Sequence, residues 1–268
     1  MKLNLHVHST CSDGRKTPKD IALLMEENNI TFALTDHDTL SGVQECYDTL
    51  NNKELLITGM EYSAKFKDIT LHILSYNFEI DLLKEEISKS ENNNKKLMKQ
   101  VYNKLKALGF NIELLDENNI SKSALADELV NKGYADTELY AKRNIINNYV
   151  DDYGFLNIKD VVKNVHNAKG KVFWAHPFQV LNKTGKFDID EIRIEEIIKE
   201  LVKLKIDGLE VYYRHYTKQQ VSFLEEMCKK YNLLCSTGTD IHFKAKDDYL
   251  NYDLTEEKAL EIYKNIIK

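Results

Sequence analysis

The chain has 268 residues, of which 43% are hydrophobic and 30% charged, and its formal net charge is −6. A chain of this size can bury a substantial core, but it has no apolar run of the roughly 20 residues that a membrane-spanning helix needs. The negative charge also argues against the basic surface on which binding to a nucleic-acid backbone depends. We therefore expect a globular protein that neither enters a membrane nor binds duplex nucleic acid stably.

The four cysteines, Cys11, Cys46, Cys228 and Cys235, have no paired spacing. Without a C-x-x-C pair, neither a disulfide framework nor a thiolate zinc site is indicated. The amino terminus enters a strand pattern directly and lacks the apolar stretch and small-residue cleavage site of a secretory signal. We therefore expect reduced thiols and a cytoplasmic location.

The first third of the chain alternates strand and helix patterns. Strands are predicted at residues 3–7, 30–35, 54–63 and 70–76, and helices at 17–28 and 39–50. Thr17 followed by Pro18 is typical of a capped helix start. From about residue 82 to residue 149 the pattern becomes helical and rich in lysine, asparagine and glutamate. One predicted helix face carries Leu97, Val101, Leu105 and Leu108.

The alternation of strands and helices returns after residue 150. Helices are predicted at 158–168, 192–204, 218–231 and 255–267, and strands at 171–175, 208–212 and 233–237. Repeated strand-then-helix units indicate an α/β fold with a largely parallel sheet, closed or nearly closed as a barrel. We expect residues 1–81 and 150–268 to form this barrel, and residues 82–149 to form an inserted helical subdomain that covers the active-site rim.

Ligand-type side chains collect where these strands are predicted to end, which is where barrels of this kind place their active sites. His6 and His8 are two residues apart on one strand, so both rings point to the same side. Mixed imidazole and carboxylate donors suit Mn²⁺, Zn²⁺ or Fe²⁺, and the set is large enough for three ions if some carboxylates bridge. The candidate metal ligands are His6, His8, Asp13, His37, Glu61, His72, His176, Asp240 and His242.

The order of these motifs resembles that of the polymerase and histidinol phosphatase (PHP) family of metal-dependent phosphoesterases. The matching stretches are His6-Val7-His8, Ser12-Asp13-Gly14, Thr35-Asp36-His37-Asp38, Gly59-Met60-Glu61, Leu71-His72, Ala175-His176-Pro177 and Gly238-Thr239-Asp240-Ile241-His242. The resemblance implies a distorted (β/α)7 barrel with three divalent ions, Mn²⁺ foremost and Zn²⁺ or Fe²⁺ as alternatives. By position, His6, His8, Glu61 and Asp240 would hold one ion, Glu61, His72 and His176 a second, and Asp13, His37 and His242 a third.

The subgroup of nucleoside 3',5'-bisphosphate phosphatases and small 5'-to-3' exoribonuclease-like enzymes matches best among the PHP patterns considered. This implies hydrolysis of a phosphate ester of a nucleoside, nucleotide or short oligonucleotide by hydroxide generated at the metals, with His37, Glu61, His176 and Asp240 as catalytic residues. The subgroup's Arg-Pro-His run is replaced here by Lys122-Ser123-Ala124. Lysine offers phosphate a point charge rather than a bidentate fork. The candidate phosphate-binding residues are Lys122, the first choice, and Arg143, Arg214 and His215.

Two other functions remain open at this stage. An amidohydrolase-type C–N hydrolase also begins with H-x-H on its first strand, but it has no use for Asp13 or for the closing Asp240-x-His242 pair. A non-catalytic PHP module is disfavoured by the complete ligand set.

Glu210 is either a residue that orients a ligand or an ordinary buried hydrogen-bonding residue. The native metal, the choice between a monoester and a diester substrate, and the oligomeric state are left open.

Overall fold

The computed structural model describes residues 1–114, 120–150, 153–180, 189–244 and 250–268. The chain divides into two compact units, one formed by residues 1–85 and 156–268 and the other by residues 86–155. The boundaries of the smaller unit predicted from the sequence are residues 82 and 149. That the second unit covers the active-site rim stays a prediction. No helix of the described residues is both long and apolar enough to cross a bilayer.

The strands of the described residues form one seven-stranded sheet, ordered as they follow one another in the chain. They are β1 Lys2–Val7, β2 Ile30–Leu34, β3 Leu56–Phe66, β4 Ile69–Tyr76, β5 Lys171–Trp174, β6 Gly208–Tyr213 and β7 Leu234–Gly238. Strands β1, β2 and β3 are parallel, as are β5, β6 and β7, whereas β4 is antiparallel to both of its neighbours. The predicted α/β fold with a mostly parallel sheet is confirmed.

The two edges of this sheet meet, which closes it as a barrel. The His8 N–H donates to the Ile241 carbonyl at 3.0 Å, and the Ile241 N–H donates to the His6 carbonyl at 3.3 Å. The side chain of Asn4 reinforces the closure by donating to Thr239 Oγ1 at 2.8 Å. The residues that follow β7 are thereby brought beside the ligand-bearing strand β1.

The β3–β4 hairpin departs from the predicted pattern of ligands at strand ends. Glu61 lies in the middle of β3 and His72 lies within β4, where it pairs with Ser63. A tight turn at Lys67, whose φ is +56°, replaces the helix that a parallel connection requires. Glu61 is nevertheless level with the end of β2, because its backbone bridges to His37 just beyond that strand.

The helices of the described residues begin largely where the sequence carries capping residues. They are α1 Pro18–Glu27, α2 Val43–Thr49, α3 Ile80–Ala107, α4 Lys122–Asn131, α5 Glu138–Tyr140, α6 Ile158–Asn167, α7 Glu191–Lys203, α8 Lys218–Tyr231 and α9 Glu256–Ile267. Thr17 caps α1 as predicted, and Thr217 with Gln220 forms a capping box on α8. Helix α2 begins later than the predicted residue 39, because Thr39 Oγ1 accepts from the Ser41 N–H in a turn.

Each unit has its own apolar core. In the barrel, Val7 packs with residues of α1 and β2, such as Ile21 and Phe32. The other face of β1 carries Asn4, His6 and His8, all fully buried. The alternation of side chains along the strand therefore turns both histidines away from the helices and toward the barrel interior.

The smaller unit buries part of the predicted apolar face of α3. Val101 and Leu105 are buried in its core, and Leu97 packs against it. Leu108 is 50% exposed, because α3 ends at Ala107 and no longer directs the next residue inward. The prediction for Leu108 was therefore wrong. After α5, the chain forms a π-helical turn at Ala141–Ile145 and a 3₁₀ turn at Ile146–Tyr149.

Candidate metal centre

Glu61 is the centre of the site, and both oxygens of its buried carboxylate face imidazole nitrogens. Glu61 Oε2 lies 3.3 Å from the Nε2 atoms of His6 and His8 and 3.1 Å from His37 Nδ1. Glu61 Oε1 lies 3.2 Å from His72 Nδ1 and 3.1 Å from His176 Nε2. One carboxylate therefore separates two sets of histidines, the arrangement expected of a bridging ligand.

Asp240 provides a second carboxylate on the β1 side of the site. Its Oδ1 lies 3.1 Å from His8 Nε2 and 3.4 Å from His6 Nε2. Its Oδ2 accepts a hydrogen bond of 3.1 Å from the Tyr213 hydroxyl. The backbone at Asp240 has a φ of +51°, a left-handed conformation that an aspartate tolerates better than most side chains. Strand β7 ends two residues earlier, so this turn directs the carboxylate back over the barrel.

Asp13 and His242 form a third part of the site together with His8 and His37. Asp13 Oδ1 lies 2.9 Å from His242 Nε2, 3.7 Å from His8 Nδ1 and 3.9 Å from His37 Nε2. The Nδ1–H of His242 donates to the Asp240 carbonyl at 2.9 Å, which leaves Nε2 directed at Asp13. The loop after β1 and the turn after β7 thus converge on one carboxylate.

Two carboxylates next to the ligands, buried Asp36 and half-buried Asp38, hold these loops in place. Asp36 accepts from the Ser9 N–H at 2.7 Å and from the Ser9 hydroxyl at 2.6 Å, which fixes the loop that carries Asp13. Asp38 accepts from the Ser63 N–H at 2.8 Å. Burial raises the pKa of Asp38 to about 6. Both carboxylates thus accept hydrogen bonds from the backbone around the site.

Glu210 and Tyr213 of β6 also contact the ligands. Glu210 Oε1 lies 2.9 Å from His6 Nδ1, and its Oε2 accepts from the His176 N–H at 2.8 Å. The sequence analysis did not single out Tyr213, whose hydroxyl donates to Asp240. The signal that could have revealed it is its position at the end of β6, beside the strand that leads into Asp240.

The electrostatics of the site strongly favour a bound cation. Burial lowers the pKa of His8, but the neighbouring carboxylates of Asp240 and Glu61 outweigh this effect and raise the pKa to about 10. Burial also lowers the pKa of His6, but neighbouring carboxylates raise it well above its ordinary value. Burial raises the pKa of Glu61, but the charges of His37 and the other histidines hold it well below its usual range. Ionised carboxylates here need protons or metal ions on the facing imidazoles.

The hydrogen bonding of the site gives an independent test of whether its residues fit metal ions. His6 Nε2, His8 Nε2 and Glu61 Oε2 are buried and have no partner of acceptable hydrogen-bond geometry. A buried polar atom without a partner costs about 1–3 kcal/mol. In neutral histidines these nitrogens present electron pairs, as the carboxylate oxygen does. A divalent cation would satisfy all three atoms, so the residues present fit metal binding.

The described residues form four overlapping groups with the spacing of metal ligands. They are His8 with Asp13, His37 and His242; His6 with His8 and Glu61; His6 with His176 and Asp240; and His37 with Glu61 and His72. Asp13, His37 and His242, the set that the resemblance implies for the third ion, all belong to the largest of these groups. His176 differs, since it is grouped with His6 rather than with His72, although it also lies 3.1 Å from Glu61. All nine predicted ligands are therefore collected in one site.

The four predicted phosphate-binding residues are divided between the two units. Arg214 and His215 directly follow β6, and Arg214 donates to the Asp240 carbonyl at 3.3 Å and to His215 Nε2 at 3.0 Å. Lys122 begins α4 in the smaller unit, where burial and the charge of Lys142 lower its pKa to about 8. Arg143 lies in the π-helical turn of the same unit. The phosphate-binding role of all four residues stays a prediction.

The described residues therefore form a mostly parallel barrel with a cluster of histidines and carboxylates that could hold metal ions. Residues 4–126 match the family model of the PHP domain. The family resemblance inferred from the motifs is therefore confirmed for this part of the chain.

Similarity to curated proteins extends beyond the region matched by the family model. The chain is 26% identical over 260 residues to a 5'-3' exoribonuclease of Haemophilus influenzae, covering 90% of each protein. It is 23% identical over 258 residues to a 3',5'-nucleoside bisphosphate phosphatase of Chromobacterium violaceum, covering 90% of this chain and 87% of the relative.

Solved structures share the fold over nearly the whole chain. An amidohydrolase from Chromobacterium violaceum with bound sulfate superposes with a TM-score of 0.80 at 21% identity, covering 99% of this chain and 97% of that one. A candidate metal-dependent phosphoesterase from Bifidobacterium adolescentis gives a TM-score of 0.78 at 22% identity, covering 99% and 96%. At these identities the likeness concerns the fold.

Proposed function

We propose that this protein is a metal-dependent phosphoesterase that acts on a phosphorylated nucleoside, nucleotide or short oligonucleotide. The observation that carries the proposal is the position of Glu61, with imidazoles from five histidines within 3.3 Å of its two oxygens. Adjacent divalent ions, when bound, polarise a phosphate ester and activate water at neutral pH. The names of the two curated relatives, an exoribonuclease and a bisphosphate phosphatase, support phosphate esters of nucleosides as the substrate class.

We propose three ions, with Mn²⁺ as the first choice and Zn²⁺ or Fe²⁺ as alternatives. The mixed nitrogen and oxygen donors suit these metals better than Mg²⁺ or Ca²⁺, which prefer oxygen donors alone. His6, His8, Glu61 and Asp240 would hold one ion, and the pair His72 and His176 on the other oxygen of Glu61 a second. Asp13, His37 and His242 would hold the third. His37, Glu61, His176 and Asp240 are the proposed catalytic residues.

Positive side chains would orient the phosphate. Arg214 is held beside Asp240 by its bond to that residue's carbonyl, so a guanidinium lies next to the cluster. A guanidinium can fork onto two phosphate oxygens. Lys122, Arg143 and His215 are the other proposed phosphate-binding residues. With its pKa lowered to about 8, Lys122 would be mostly charged at neutral pH and would lose its charge in mild base.

Product release from a substrate panel tests the proposed reaction, with inorganic phosphate measured for the monoesters and mononucleotides for the oligonucleotide. Mn²⁺-loaded protein should hydrolyse a nucleoside 3',5'-bisphosphate or a short oligonucleotide faster than a simple monophosphate or histidinol phosphate. His37→Ala and His176→Ala should each lower turnover by orders of magnitude with unchanged circular dichroism. His166→Ala is the matched control, because His166 bonds Asp207 outside the cluster. If only amide or lactone substrates were hydrolysed, a C–N hydrolase would replace the phosphoesterase.

A cytoplasmic location remains a prediction of the sequence alone. The same holds for the cover that residues 82–149 would form over the active-site rim.

A further inference from the structure

Glu210 is a fully buried carboxylate that bonds to two metal-ligand residues in two different ways. Its Oε1 lies 2.9 Å from the ring atom Nδ1 of His6, and its Oε2 accepts a hydrogen bond of 2.8 Å from the backbone N–H of His176. Neither the side chain of Glu210 nor that of His6 has any solvent exposure. The bonds are therefore not weakened by competing water.

The first bond determines which nitrogen of His6 carries a proton. A carboxylate is an acceptor only, so His6 Nδ1 must donate to Glu210. A neutral ring that is protonated on Nδ1 has its free electron pair on Nε2. In this structure Nε2 is the atom that faces Glu61 and Asp240, at 3.3 and 3.4 Å. Glu210 therefore selects the tautomer in which His6 can bind a metal ion at the cluster.

The second bond holds an uncommon backbone conformation. His176 has a φ of +31°, in the left-handed region of backbone conformation that residues other than glycine rarely adopt. This conformation turns the chain sharply after β5 and directs His176 Nε2 to within 3.1 Å of Glu61 Oε1. The His176 N–H points at Glu210, so the bond stabilises the turn that delivers the ligand.

Close packing leaves little freedom for Glu210 to move. Strand β7 passes beside it at Gly238, where an added Cβ would lie 2.2 Å from the Cβ of His6 and 2.7 Å from Glu210 Oε1. Only glycine lets the strands approach this closely. The backbone of β7 therefore confines both His6 and the Glu210 carboxylate.

We infer that Glu210 is a positioning residue that fixes the ring of His6 and the backbone of His176 at once, so that one carboxylate prepares ligands on both sides of Glu61. This inference rests on the proposed metal site. It deepens that proposal by assigning the selection of the His6 tautomer to a residue that does not itself face the cluster. Ligands from β1 and from the end of β5 are linked through β6, the strand that carries Glu210.

Residue 210 must be a carboxylate to hold both partners, and another polar side chain of the same size would not suffice. Both partners of Glu210 are donors, and a glutamine offers one acceptor and one donor. If the amide oxygen of Glu210→Gln bonded the His176 N–H, its NH₂ would face His6 Nδ1. The ring would then accept at Nδ1 and carry its proton on Nε2, where it would block the metal. If the amide were reversed, two N–H groups would face each other at His176.

Asp207 provides a matched control within the same chain. Its Oδ2 accepts from the Val172 N–H at 2.7 Å and lies 2.8 Å from His166 Nε2, so it too joins a histidine ring to a backbone amide. It directly precedes β6 and lies away from the metal ligands. Asp207→Asn therefore perturbs the same kind of paired contacts, to one histidine ring and one backbone N–H, without touching the cluster.

The test compares the wild type, Glu210→Gln and Asp207→Asn in Zn²⁺ affinity and in histidine tautomer. Competition titration should show a loss of about 10–100-fold for Glu210→Gln, as for other residues that orient metal ligands, and no more than about 2-fold for Asp207→Asn. Long-range ¹H–¹⁵N spectra of the Zn²⁺-loaded wild type should show His6 protonated at Nδ1, and Glu210→Gln should lose this signal. Glu210→Asp keeps the charge but cannot reach both partners, so its affinity should also fall.

Each outcome decides the inference separately from the proposed reaction. Unchanged affinity in a folded Glu210→Gln or Glu210→Asp variant, or a wild-type His6 protonated at Nε2 with metal bound, would overturn the positioning role even if phosphate esters were hydrolysed. Equal losses in Glu210→Gln and Asp207→Asn would also overturn it, because they would show a general effect on folding. If the expected affinities and tautomer were found but no phosphate ester were hydrolysed, the reaction would fail and the positioning role would stand. A wild type that bound no divalent ion would refute both.

Discussion

Proton release on metal binding is a sharp consequence of the charges around His8. In the metal-free protein, the carboxylates of Asp240 and Glu61 beside the ring outweigh the effect of burial and raise the pKa of His8 to about 10. At pH 7 the ring therefore carries a proton, and removing it costs about 4 kcal/mol at 1.36 kcal/mol per pH unit. A metal ion that binds Nε2 must displace this proton. The loss of this one proton should make the apparent affinity for the metal rise about tenfold for each unit by which the pH increases, up to about pH 10.

Isothermal titration calorimetry with Mn²⁺ in buffers of different ionisation enthalpy measures the protons released. We expect at least one proton per chain at pH 7 from His8, and a further one from His6, whose pKa is also raised. His8→Gln should release fewer protons, whereas His166→Gln, outside the cluster, should leave the number unchanged. Affinity that did not change between pH 6 and pH 8, with no proton released, would refute the reasoning.

The same pKa shift affects the stability of the metal-free protein. Because the pKa of His8 is raised in the folded state, its contribution is fully present below the unfolded value of about 6.5 and is lost as pH rises through about 10. Metal binding removes this dependence, since the ion replaces the proton. Thermal unfolding of the metal-free protein between pH 6.5 and pH 10 should therefore show a downward trend that bound Mn²⁺ reduces.

Three further predictions concern single residues. Glu61→Gln should lower kcat by at least about 100-fold, because it removes the charge shared by both sets of histidines; near-wild-type turnover would contradict this. Gly238→Ala should destabilise the fold by about 1–3 kcal/mol through its clash with His6, seen as a lower midpoint in urea, and an unchanged midpoint would count against the packing argument. If Lys122 binds phosphate, KM should rise as pH passes about 8, and Lys122→Arg should abolish that rise. If KM did not change with pH in either the wild type or Lys122→Arg, Lys122 would not be a phosphate-binding residue.

Much of the barrel could be predicted because its elements carry local signals. Thr17 with Pro18, and Thr217 at the start of α8, mark helix starts through hydrogen bonds to the next turn. His6 and His8 share a face because side chains alternate along a strand, and the structure buries both on the inner face of β1. These features depend on a few neighbouring residues, so the sequence alone is enough to reveal them.

The features that were missed depend on contacts between distant residues. The antiparallel direction of β4 follows from the tight turn at Lys67, and it places Glu61 and His72 within strands rather than at their ends. Leu108 fits the helical period of α3 but lies beyond the helix end. The double role of Glu210 depends on the neighbouring strands β5 and β7, and no pattern along β6 distinguishes it from an ordinary buried glutamate.

We propose above all that Glu61 would be shared by divalent ions that histidines on its two sides would hold. Anomalous scattering from a crystal of the Mn²⁺-loaded protein tests this claim most directly. We predict manganese peaks next to both Oε1 and Oε2 of Glu61, with His6 and His8 on one side and His72 and His176 on the other. A single peak that contacts only one of these oxygens, or ions bound away from Glu61, would contradict the account.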